Sequence, residues 1–254
     1  MKNTLPQLVA HRGIMARYPE NSLEGLEAAL RTHAPYIEFD IQCTADRQLV
    51  LFHDATMQRT CGVEGEIFDY RFAELSDFSA GAAGRFGDRF SGVRTPLLSQ
   101  LIELAQEYPH SRILAEIKPQ CLARFGLKPM MQQLFEELLP IRSRCVIISF
   151  HLPALFHIRE QNVNYQCGWV LDGYGDYQRQ QAQQLMPELL IANRKLLTPT
   201  TSLWPGPWQW MVYEVNDPVQ ALAYAAAGIA LVETADVASM LRHPLLAQSK
   251  NRTV

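Results

Sequence analysis

The sequence predicts an α/β fold, a (β/α)₈ TIM barrel with a small irregular insertion after the second strand. Three observations carry this prediction. Eight short apolar runs alternate with segments that read as helices. A ninth apolar run follows the second one too closely for a helix to join them. The length of 254 residues is typical of a barrel that forms one domain, so residues 1–254 are expected to fold as a single domain.

The eight strand candidates are rich in apolar and β-branched residues. They cover residues 8–11, 36–42, 113–118, 145–150, 165–171, 189–193, 211–215 and 230–233. The helix candidates cover residues 22–33, 97–108, 129–138, 152–161, 177–186 and 218–227. Ser22 is suited to cap the first helix, and Gly228 is typical of the residue that follows a helix.

Only six residues separate residue 42 from the ninth apolar run, residues 49–53. A parallel crossover needs about a dozen residues or more. This run is therefore expected to return antiparallel to the second strand, as a hairpin arm. The other eight runs then stand in the order that closes a barrel.

Two segments are expected to be irregular. Residues 55–96 hold six glycines and six aromatic residues, which favours a packed insertion over disorder. Because this insertion starts beside His53, it is expected over the active-site face of the barrel. Residues 198–210 are expected to replace or distort one barrel helix. Their tryptophans, Trp204, Trp208 and Trp210, either form a wall over the site or pack beneath an irregular loop.

The composition describes a chain that can bury a full core and has no strongly basic segment. Hydrophobic residues make up 48% of the chain, and the formal net charge is −3. A nucleic-acid or anionic-membrane partner is therefore not expected. No apolar stretch reaches about 18 residues, and the run before His11 is too short for a signal peptide. Five widely spaced cysteines indicate reduced thiols, so a cytoplasmic protein without a stable membrane anchor is expected.

Carboxylates stand at the ends of two predicted strands. Glu38 and Asp40 are two residues apart, so their side chains share the face that points into the barrel. Two such carboxylates are costly unless a cation neutralises them, and Glu116 would supply a third oxygen ligand. All-oxygen ligation suits Mg²⁺ or Ca²⁺. The alternative is a ring of salt bridges in which the carboxylates pair with Lys118 and Arg12.

Two histidines also end apolar runs. His11 follows the first strand candidate and His53 ends the antiparallel run, so they could serve as base and acid on opposite sides of a phosphate. Arg12 offers a planar fork to phosphate oxygens, and Lys118 offers a point charge. Either cation could instead only balance the carboxylates. A single strand-end histidine is more often structural than catalytic, but two together favour catalysis.

Four further residues are weaker candidates. Glu20 and Asn21 lie on the loop after the first strand, where the simpler interpretation is that Asn21 or Ser22 caps the next helix and Glu20 is solvated. Phe150 and Tyr213 end strands and could line the pocket, although aromatic residues at strand ends are more often core. The remaining histidines have no comparable setting and are expected at the surface or in loops. They are His33, His110, His151, His157 and His243.

Taken together, these residues resemble the glycerophosphodiester phosphodiesterase family, and most closely its short cytosolic bacterial members. The matching segments run from residue 10 to about residue 216 in the family's order. They are Ala10-His11-Arg12-Gly13, Pro19-Glu20-Asn21-Ser22, Glu38-Phe39-Asp40, Thr44-Ala45-Asp46, Leu51-Phe52-His53-Asp54, Glu116-Ile117-Lys118, Ser149-Phe150 and Val215-Asn216. The combination is highly specific, although no single segment is.

The resemblance implies a barrel with an insertion after the second strand, which matches residues 55–96. It also implies metal-dependent hydrolysis of glycerophosphodiesters, such as glycerophosphocholine or glycerophosphoethanolamine, to sn-glycerol 3-phosphate and an alcohol. At the matching positions, Glu38, Asp40 and Glu116 would hold one divalent ion, Mg²⁺ or Ca²⁺, with Glu20 nearby. The implied partner is this small-molecule substrate, and the oligomeric state stays open.

The resemblance also implies roles for the remaining charged residues. His11 and His53 would act as base and acid, in either order, while Arg12 and Lys118 would contact the phosphate. The attacking oxygen is either water or the neighbouring glycerol hydroxyl, which would form a cyclic phosphate that water then opens. The sequence leaves these two routes open.

Three positions depart from the family's usual pattern. Glu214 stands where a threonine is usual, and a carboxylate there would repel an anionic head group or favour a cationic one. Thr234 and Asp236 are separated by Ala235, whereas the family's closing threonine and aspartate are adjacent. His151 stands where an acidic residue is common. These departures leave the expected chemistry intact and bear on the choice of substrate.

Three other functions compete with this hypothesis. A phospholipase C/D-type phosphodiesterase would need an exposed apolar rim or a basic face, and only the tryptophans of residues 198–210 favour it. A non-catalytic barrel that binds a phosphorylated metabolite should have lost a metal or histidine position, and none is lost. A phosphosugar isomerase or aldolase is favoured only by Lys118 at a strand end.

Overall fold

A closed barrel of eight parallel strands forms the centre of this computed structural model, which describes residues 5–161 and 163–247. Its strands and the hairpin arm are β1 (Gln7–Ala10), β2 (Tyr36–Cys43), β3 (Leu49–Leu51), β4 (Arg112–Ile117), β5 (Cys145–Ser149), β6 (Gln166–Val170), β7 (Leu189–Asn193), β8 (Gln209–Tyr213) and β9 (Leu231–Thr234). β9 pairs parallel with β1, which closes the barrel. The predicted fold is confirmed, and the strand ends differ from the prediction by at most two residues.

The hairpin arm also lies where the sequence predicts it. β3 pairs antiparallel with the end of β2, with Leu51 opposite Ile41 and Leu49 opposite Cys43. β4 occupies the other edge of β2 and runs parallel to it. The arm therefore extends β2 beyond the barrel without interrupting the ring.

Helices cover the outside of the barrel and build part of the insertion. They are α1 (Leu23–Arg31), α2 (Gln58–Cys61), α3 (Phe72–Leu75), α4 (Ala83–Phe86), α5 (Leu98–Gln106), α6 (Pro119–Phe125), α7 (Leu127–Leu138), α8 (Leu152–Gln161), α9 (Asp176–Leu185), α10 (Pro218–Ala226) and α11 (Val237–Arg242). All six predicted helices are present. The sequence interpretation missed α6 and α11, which are short; Pro119 at the first position of α6 is a typical helix-start signal that would have indicated it.

Alternation along β2 shows how the strands sort side chains into two layers. Ile37, Phe39 and Ile41 point outward and pack under the helices. Tyr36 belongs to the apolar cluster that fills the barrel interior, so Glu38, two residues later, faces inward as well. The interior cluster is formed by Val9, Tyr36, Leu114, Val146, Ile148, Val170, Leu189, Ile191, Met211 and Leu231.

The insertion, residues 55–96, has an apolar cluster of its own. Val50 and Phe52 from the hairpin arm pack there with residues of the insertion such as Met57 and Phe68. Hydrogen bonds tie the insertion back to the barrel: Ala45 N donates to the Tyr70 carbonyl, and Phe72 N donates to Asp46 Oδ1. The insertion is therefore packed against the barrel, although its only regular elements are short helices.

Between β7 and β8 the described chain forms no helix, as predicted for residues 198–210. Trp204 stacks on Tyr174 with ring centroids 4.1 Å apart, and Trp210 packs against both rings. One histidine prediction is wrong: His157 is buried in α8, because its ring faces Phe135 beneath the helix layer. In the described part of the chain, no helix is both long enough and apolar enough to cross a bilayer.

Candidate active site

A cavity of about 250 Å³ opens at the carboxyl ends of the barrel strands, where barrel enzymes place their active sites. The structure brings eight of the predicted site residues to its lining. They are His11, Arg12, Glu38, His53, Glu116, Lys118, Phe150 and Tyr213. Asp40 and Glu20 are not part of this lining but form ion pairs with Arg12, and Asn21 is hydrogen-bonded to Asp40.

The loop after β1 is held tightly against α1. Ile14 N donates to the Gly25 carbonyl, and a Cβ on Gly13 would lie 2.5 Å from the carbonyl carbon of Gly25. Gly13 also has a φ of +83°, so only glycine fits here without strain. This close approach fixes the loop that carries His11 and Arg12. His11 N is itself bonded to the Thr234 carbonyl on β9.

Three predicted metal ligands meet as expected. Ligand oxygens of Glu38, Asp40 and Glu116 all lie within 4.8 Å of one another, and all three side chains are buried. Asn21 holds Asp40 in place, because its Nδ2 donates to Asp40 Oδ2 (2.9 Å) and its Oδ1 accepts from Asp40 N (3.1 Å). Ser22, not Asn21, caps α1 by accepting a hydrogen bond from Gly25 N.

The salt bridges that the sequence offered as an alternative are present too. Lys118 Nζ lies 2.7 Å from Glu116 Oε1 and 3.1 Å from Asp40 Oδ1. Arg12 Nε lies 2.9 Å from Asp40 Oδ2, in a charge contact without hydrogen-bond geometry. The backbone N of Arg12 donates to Glu38 Oε2 (3.1 Å). Both cations therefore belong to the carboxylate cluster and also line the cavity.

Glu233 is a buried carboxylate that the sequence interpretation missed. It is only 3% exposed, and its Oε1 has no hydrogen-bond partner among the described residues. Its Oε2 lies 3.6 Å from His11 Nε2, and ligand atoms of His11, Glu38 and Glu233 also lie within 4.8 Å of one another. The available signal was its position: Glu233 follows Leu231 by two residues at a strand end, as Glu38 follows Tyr36.

Buried charge in the cavity is not balanced by the protein alone. Four buried carboxylates, Glu38, Asp40, Glu116 and Glu233, face Arg12 and Lys118, which leaves two negative charges over. An unpartnered carboxylate oxygen in such a place is costly. The donor set is mostly oxygen, as Mg²⁺ or Ca²⁺ prefers. These residues therefore fit one divalent cation.

The pKa shifts of these carboxyl groups follow from their burial and from the excess of carboxylates over cations. Burial raises the pKa of Glu38 well above its ordinary value, and the charges of Asp40 and Glu233 raise it further. Burial also raises the pKa of Glu233. Asp40 behaves differently: burial alone would raise its pKa, but Arg12 and Lys118 outweigh burial and hold the pKa below its usual range.

The two histidines sit in different surroundings. Burial, with Arg12 beside the ring, lowers the pKa of His11 to about 3, which keeps the ring neutral. His53 is more exposed, and its Nδ1 lies 2.6 Å from Asp54 Oδ1. Burial lowers the pKa of His53, while the hydrogen bond to Asp54 acts in the opposite direction. The environment therefore keeps His11 unprotonated and gives His53 a partner that stabilises its charged form.

Glu20 is bound by two arginines. Its Oε1 accepts from Arg12 (2.9 Å), and both of its oxygens accept from Arg59 of the insertion. Among the described residues it belongs to neither group of candidate metal ligands. The sequence interpretation assigned no role to Arg59.

The opposite side of the cavity is mostly apolar. Phe150 and Tyr213 line it with Asn193, and burial raises the pKa of Tyr213. Glu214 also lines the cavity, in a left-handed conformation with a φ of 67° that non-glycine residues rarely adopt. Glu214 is exposed to solvent at this edge of the cavity. The tryptophans of residues 198–210 do not line the cavity, so of the two alternatives for them, packing beneath the loop is the one observed.

A comparison with models of protein families identifies the family of this chain. The model of the glycerophosphoryl diester phosphodiesterase family matches residues 11–203, which include His11, His53 and the three carboxylates. This chain belongs to that family. The family resemblance inferred from its motifs is thereby confirmed.

Curated relatives match part of the chain. A glycerophosphodiester phosphodiesterase of Bacillus altitudinis is 32% identical over 155 residues, which cover 60% of this chain and 62% of that protein. One from Caldanaerobacter subterraneus subsp. tengcongensis is 31% identical over 169 residues, covering 64% of this chain and 68% of that protein. The chain thus matches about two thirds or less of the length of these relatives.

Solved structures share the fold over nearly the whole chain. An Oleispira antarctica phosphodiesterase in complex with sn-glycerol-3-phosphate superposes with a TM-score of 0.79 at 22% identity, covering 93% of this chain and 95% of that one. A glycerophosphodiester phosphodiesterase from Agrobacterium tumefaciens has a TM-score of 0.73 at 21% identity, with coverage of 91% and 97%. At this identity the likeness establishes the fold.

Proposed function

We propose that this protein hydrolyses glycerophosphodiesters, such as glycerophosphocholine or glycerophosphoethanolamine, to sn-glycerol 3-phosphate and an alcohol. The observation that carries the proposal is one cavity in which two histidines, two cations and a surplus of buried carboxylate charge face each other. Membership of the family and the product bound to the Oleispira enzyme support the same reaction.

Glu38, Asp40 and Glu116 are the residues that would hold one divalent ion, Mg²⁺ or Ca²⁺. Such an ion, when bound, supplies positive charge to a phosphate oxygen of the substrate and offsets the surplus charge of the carboxylates. Glu20 would not bind the ion itself but would hold the guanidinium of Arg12 in place. Asn21 would act similarly on Asp40.

Lys118 and Arg12 would bind the phosphate of the substrate directly, in addition to the divalent ion. Lys118 Nζ carries three hydrogens, and two of them are directed at Asp40 and Glu116. One hydrogen remains for a phosphate oxygen. Burial by itself would lower the pKa of Arg12 and of Lys118, but the surrounding carboxylates outweigh burial and raise both pKa values. Both residues therefore stay charged at any working pH and can stabilise the negative charge that develops in the transition state.

The histidines would move the protons. His11 is held neutral and therefore can accept a proton from the attacking oxygen, whether that oxygen belongs to water or to the glycerol hydroxyl. His53 would donate a proton to the leaving alcohol, because Asp54 stabilises the protonated ring through its Nδ1. Phe150 and Tyr213 would contact the carbon skeleton of the substrate on the other side.

The test is release of sn-glycerol 3-phosphate by the purified protein from glycerophosphocholine and glycerophosphoethanolamine, with EDTA, Mg²⁺ or Ca²⁺ present. We expect product with a divalent ion and none with EDTA. No product from folded protein with either ion would refute the proposal. Lysophosphatidylcholine is the comparison substrate, because faster cleavage of this lipid would favour the phospholipase alternative.

A further inference from the structure

Arg59 connects the insertion to the active site. It lies on α2, and its guanidinium makes three short hydrogen bonds to two carboxylates. Nε donates to Asp54 Oδ2 (2.6 Å), while the two terminal nitrogens donate to Glu20 Oε2 and Oε1 (2.6 and 2.7 Å). Few side chains other than arginine can span two carboxylates in this way, because the guanidinium presents its donors in a fixed planar fork.

Each of the two carboxylates holds a second group of the site. Asp54 uses Oδ2 for Arg59 and Oδ1 for His53 Nδ1, which lies 2.6 Å away. Among the described residues, the Asp54 carboxylate has no other hydrogen-bond donor. Glu20 Oε1 also accepts a hydrogen bond from Nη1 of Arg12 (2.9 Å). A half-exposed arginine of the insertion thus holds the partner of one histidine and the partner of one phosphate-binding cation.

We propose that Arg59 is a positioning residue for the proton donor of the reaction. By holding Asp54, it keeps the Nδ1–H of His53 pointed at a carboxylate and leaves Nε2 as the nitrogen that faces the cavity. The proton on Nε2 passes to the leaving oxygen as the phosphorus–oxygen bond breaks, and His53 returns to its neutral form with Nδ1–H still on Asp54. This inference rests on the proposed function, since it assigns part of that reaction.

Two substrates with different leaving groups separate this role from a structural one. The choline of glycerophosphocholine leaves as a poor alkoxide and needs a proton, whereas the 4-nitrophenyl ester of glycerol 3-phosphate releases a stable phenolate that does not. We expect Arg59→Gln, tested with the divalent ion that supports activity, to lower kcat for the choline ester by ~10–100-fold, a fraction of the full effect of a general acid. On the nitrophenyl ester the loss should stay below ~3-fold, as proton donation contributes little there.

Two further variants serve as controls. Arg59→Lys keeps the charge but can contact only one carboxylate at a time, so its loss on the choline ester should be smaller than that of Arg59→Gln. Arg94→Gln removes an insertion arginine whose hydrogen bonds all go to backbone carbonyls of Ser76, Ser91 and Val93. It should affect both esters equally, because it perturbs only the packing of the insertion.

A readout without turnover completes the test. Nitrogen-15 NMR of the histidine rings, with the His53 signal assigned from His53→Gln, should show the Nδ1–H tautomer in the wild type and a mixture in Arg59→Gln. Equal losses on both esters together with an unchanged tautomer would overturn the proposal. If the wild type cleaves neither ester, the proposed function fails, and the tautomer alone decides whether Arg59 positions His53.

Discussion

The cavity has two walls that come from opposite halves of one barrel and differ mainly in their upper layer of inward side chains. The charged wall comprises β1, β2, β4 and β9, and the apolar wall comprises β5 to β8. On β9 the inward residues change from Leu231 to the carboxylate Glu233, whereas on β7 they change from Ile191 to the uncharged amide Asn193. Below this layer both halves pack apolar residues into one continuous core.

The difference places the buried charged side chains on one side of the cavity and most of the apolar side chains on the other. The buried carboxylates are concentrated on three strands, β2, β4 and β9, where they attract cations. Among the described residues, β5 to β8 contribute no buried carboxylate. Because buried charges are poorly screened by water, the buried charged groups of the cavity interact more strongly than they would in solution. Glu214 is the exception, since it brings a carboxylate to the apolar side.

The largest effect is expected beside the charged wall. His11→Ala and His53→Ala each remove a proton-transfer group, so we expect kcat on glycerophosphocholine to fall by ~10²–10⁴ in each variant. Circular dichroism melts would establish that both variants fold. His110→Ala is the matched control, because this exposed histidine packs against His33 and does not line the cavity. Full turnover by either folded site variant would contradict these roles.

The next effect separates metal binding from the cost of a buried carboxylate. We expect Glu38→Gln to weaken Ca²⁺ or Mg²⁺ binding, measured by calorimetry, by at least ~10-fold, since changes that only reorient ligands already cost about that much. In the protein freed of metal by a chelator, the same substitution is expected to raise the stability of the fold at neutral pH. Because burial raises the pKa of Glu38 from its ordinary value of 4.5, its contribution to stability is present below pH 4.5 and is lost as the pH rises.

Chelated Glu38→Gln should therefore melt at a higher temperature than chelated wild type at neutral and alkaline pH. A gain of about 1 kcal/mol would correspond to about 2–4 °C for a protein of this size. The gap should shrink as the pH falls toward 4.5. Glu103→Gln, a change at an exposed position of α5, should show neither effect. Lower stability of the chelated variant at every pH would show that Glu38 is well balanced without a metal.

A smaller effect is expected on the apolar wall. Phe150 is 37% exposed and offers its ring to the cavity. Phe150→Ala should raise KM by ~5–10-fold and change kcat by less than ~2-fold, because a contact to the carbon skeleton binds substrate and transition state alike. Tyr177→Ala, on an exposed aromatic residue of α9, is the control. A fall in kcat as large as the expected rise in KM would indicate that Phe150 contributes to the chemical step.

The smallest effect concerns the carboxylate on the apolar side. Glu214→Thr should lower the ratio of kcat/KM for glycerophosphoethanolamine to that for glycerophosphoglycerol, whose head group is uncharged, by ~2–5-fold, as an exposed charge contact is weak. Added salt should shrink the difference between variant and wild type, because it screens exposed charges. An unchanged ratio at low salt would mean that Glu214 does not sense the head group.

Several parts of the site follow from local geometry and are therefore readable in the sequence. Glu38 and Asp40 share a face because strand residues alternate, and the inward face is the one that begins with Tyr36. Lys118 and Glu116 follow the same rule on β4. The antiparallel arm is equally local, since too few residues separate it from β2 for any other connection.

Other parts depend on residues that are distant in the chain. Glu233 meets His11 only because β9 closes the barrel against β1. Arg59 reaches Glu20 across 39 positions, and nothing in its own surroundings indicates a carboxylate pair. The burial of His157 has the same origin, because its helix packs on a neighbour that sequence spacing does not identify.

The sequence by itself determined the alternation of strands and helices, the inward direction of the metal-type carboxylates and the loops that carry His11 and His53, because these depend on backbone periodicity and chain length. Only the tertiary structure decided which charges meet, namely the unpartnered Glu233 oxygen, the clamp of Arg59 on Asp54, and Asn21 on Asp40. Side-chain pairing across a closed barrel depends on distances that no local pattern encodes.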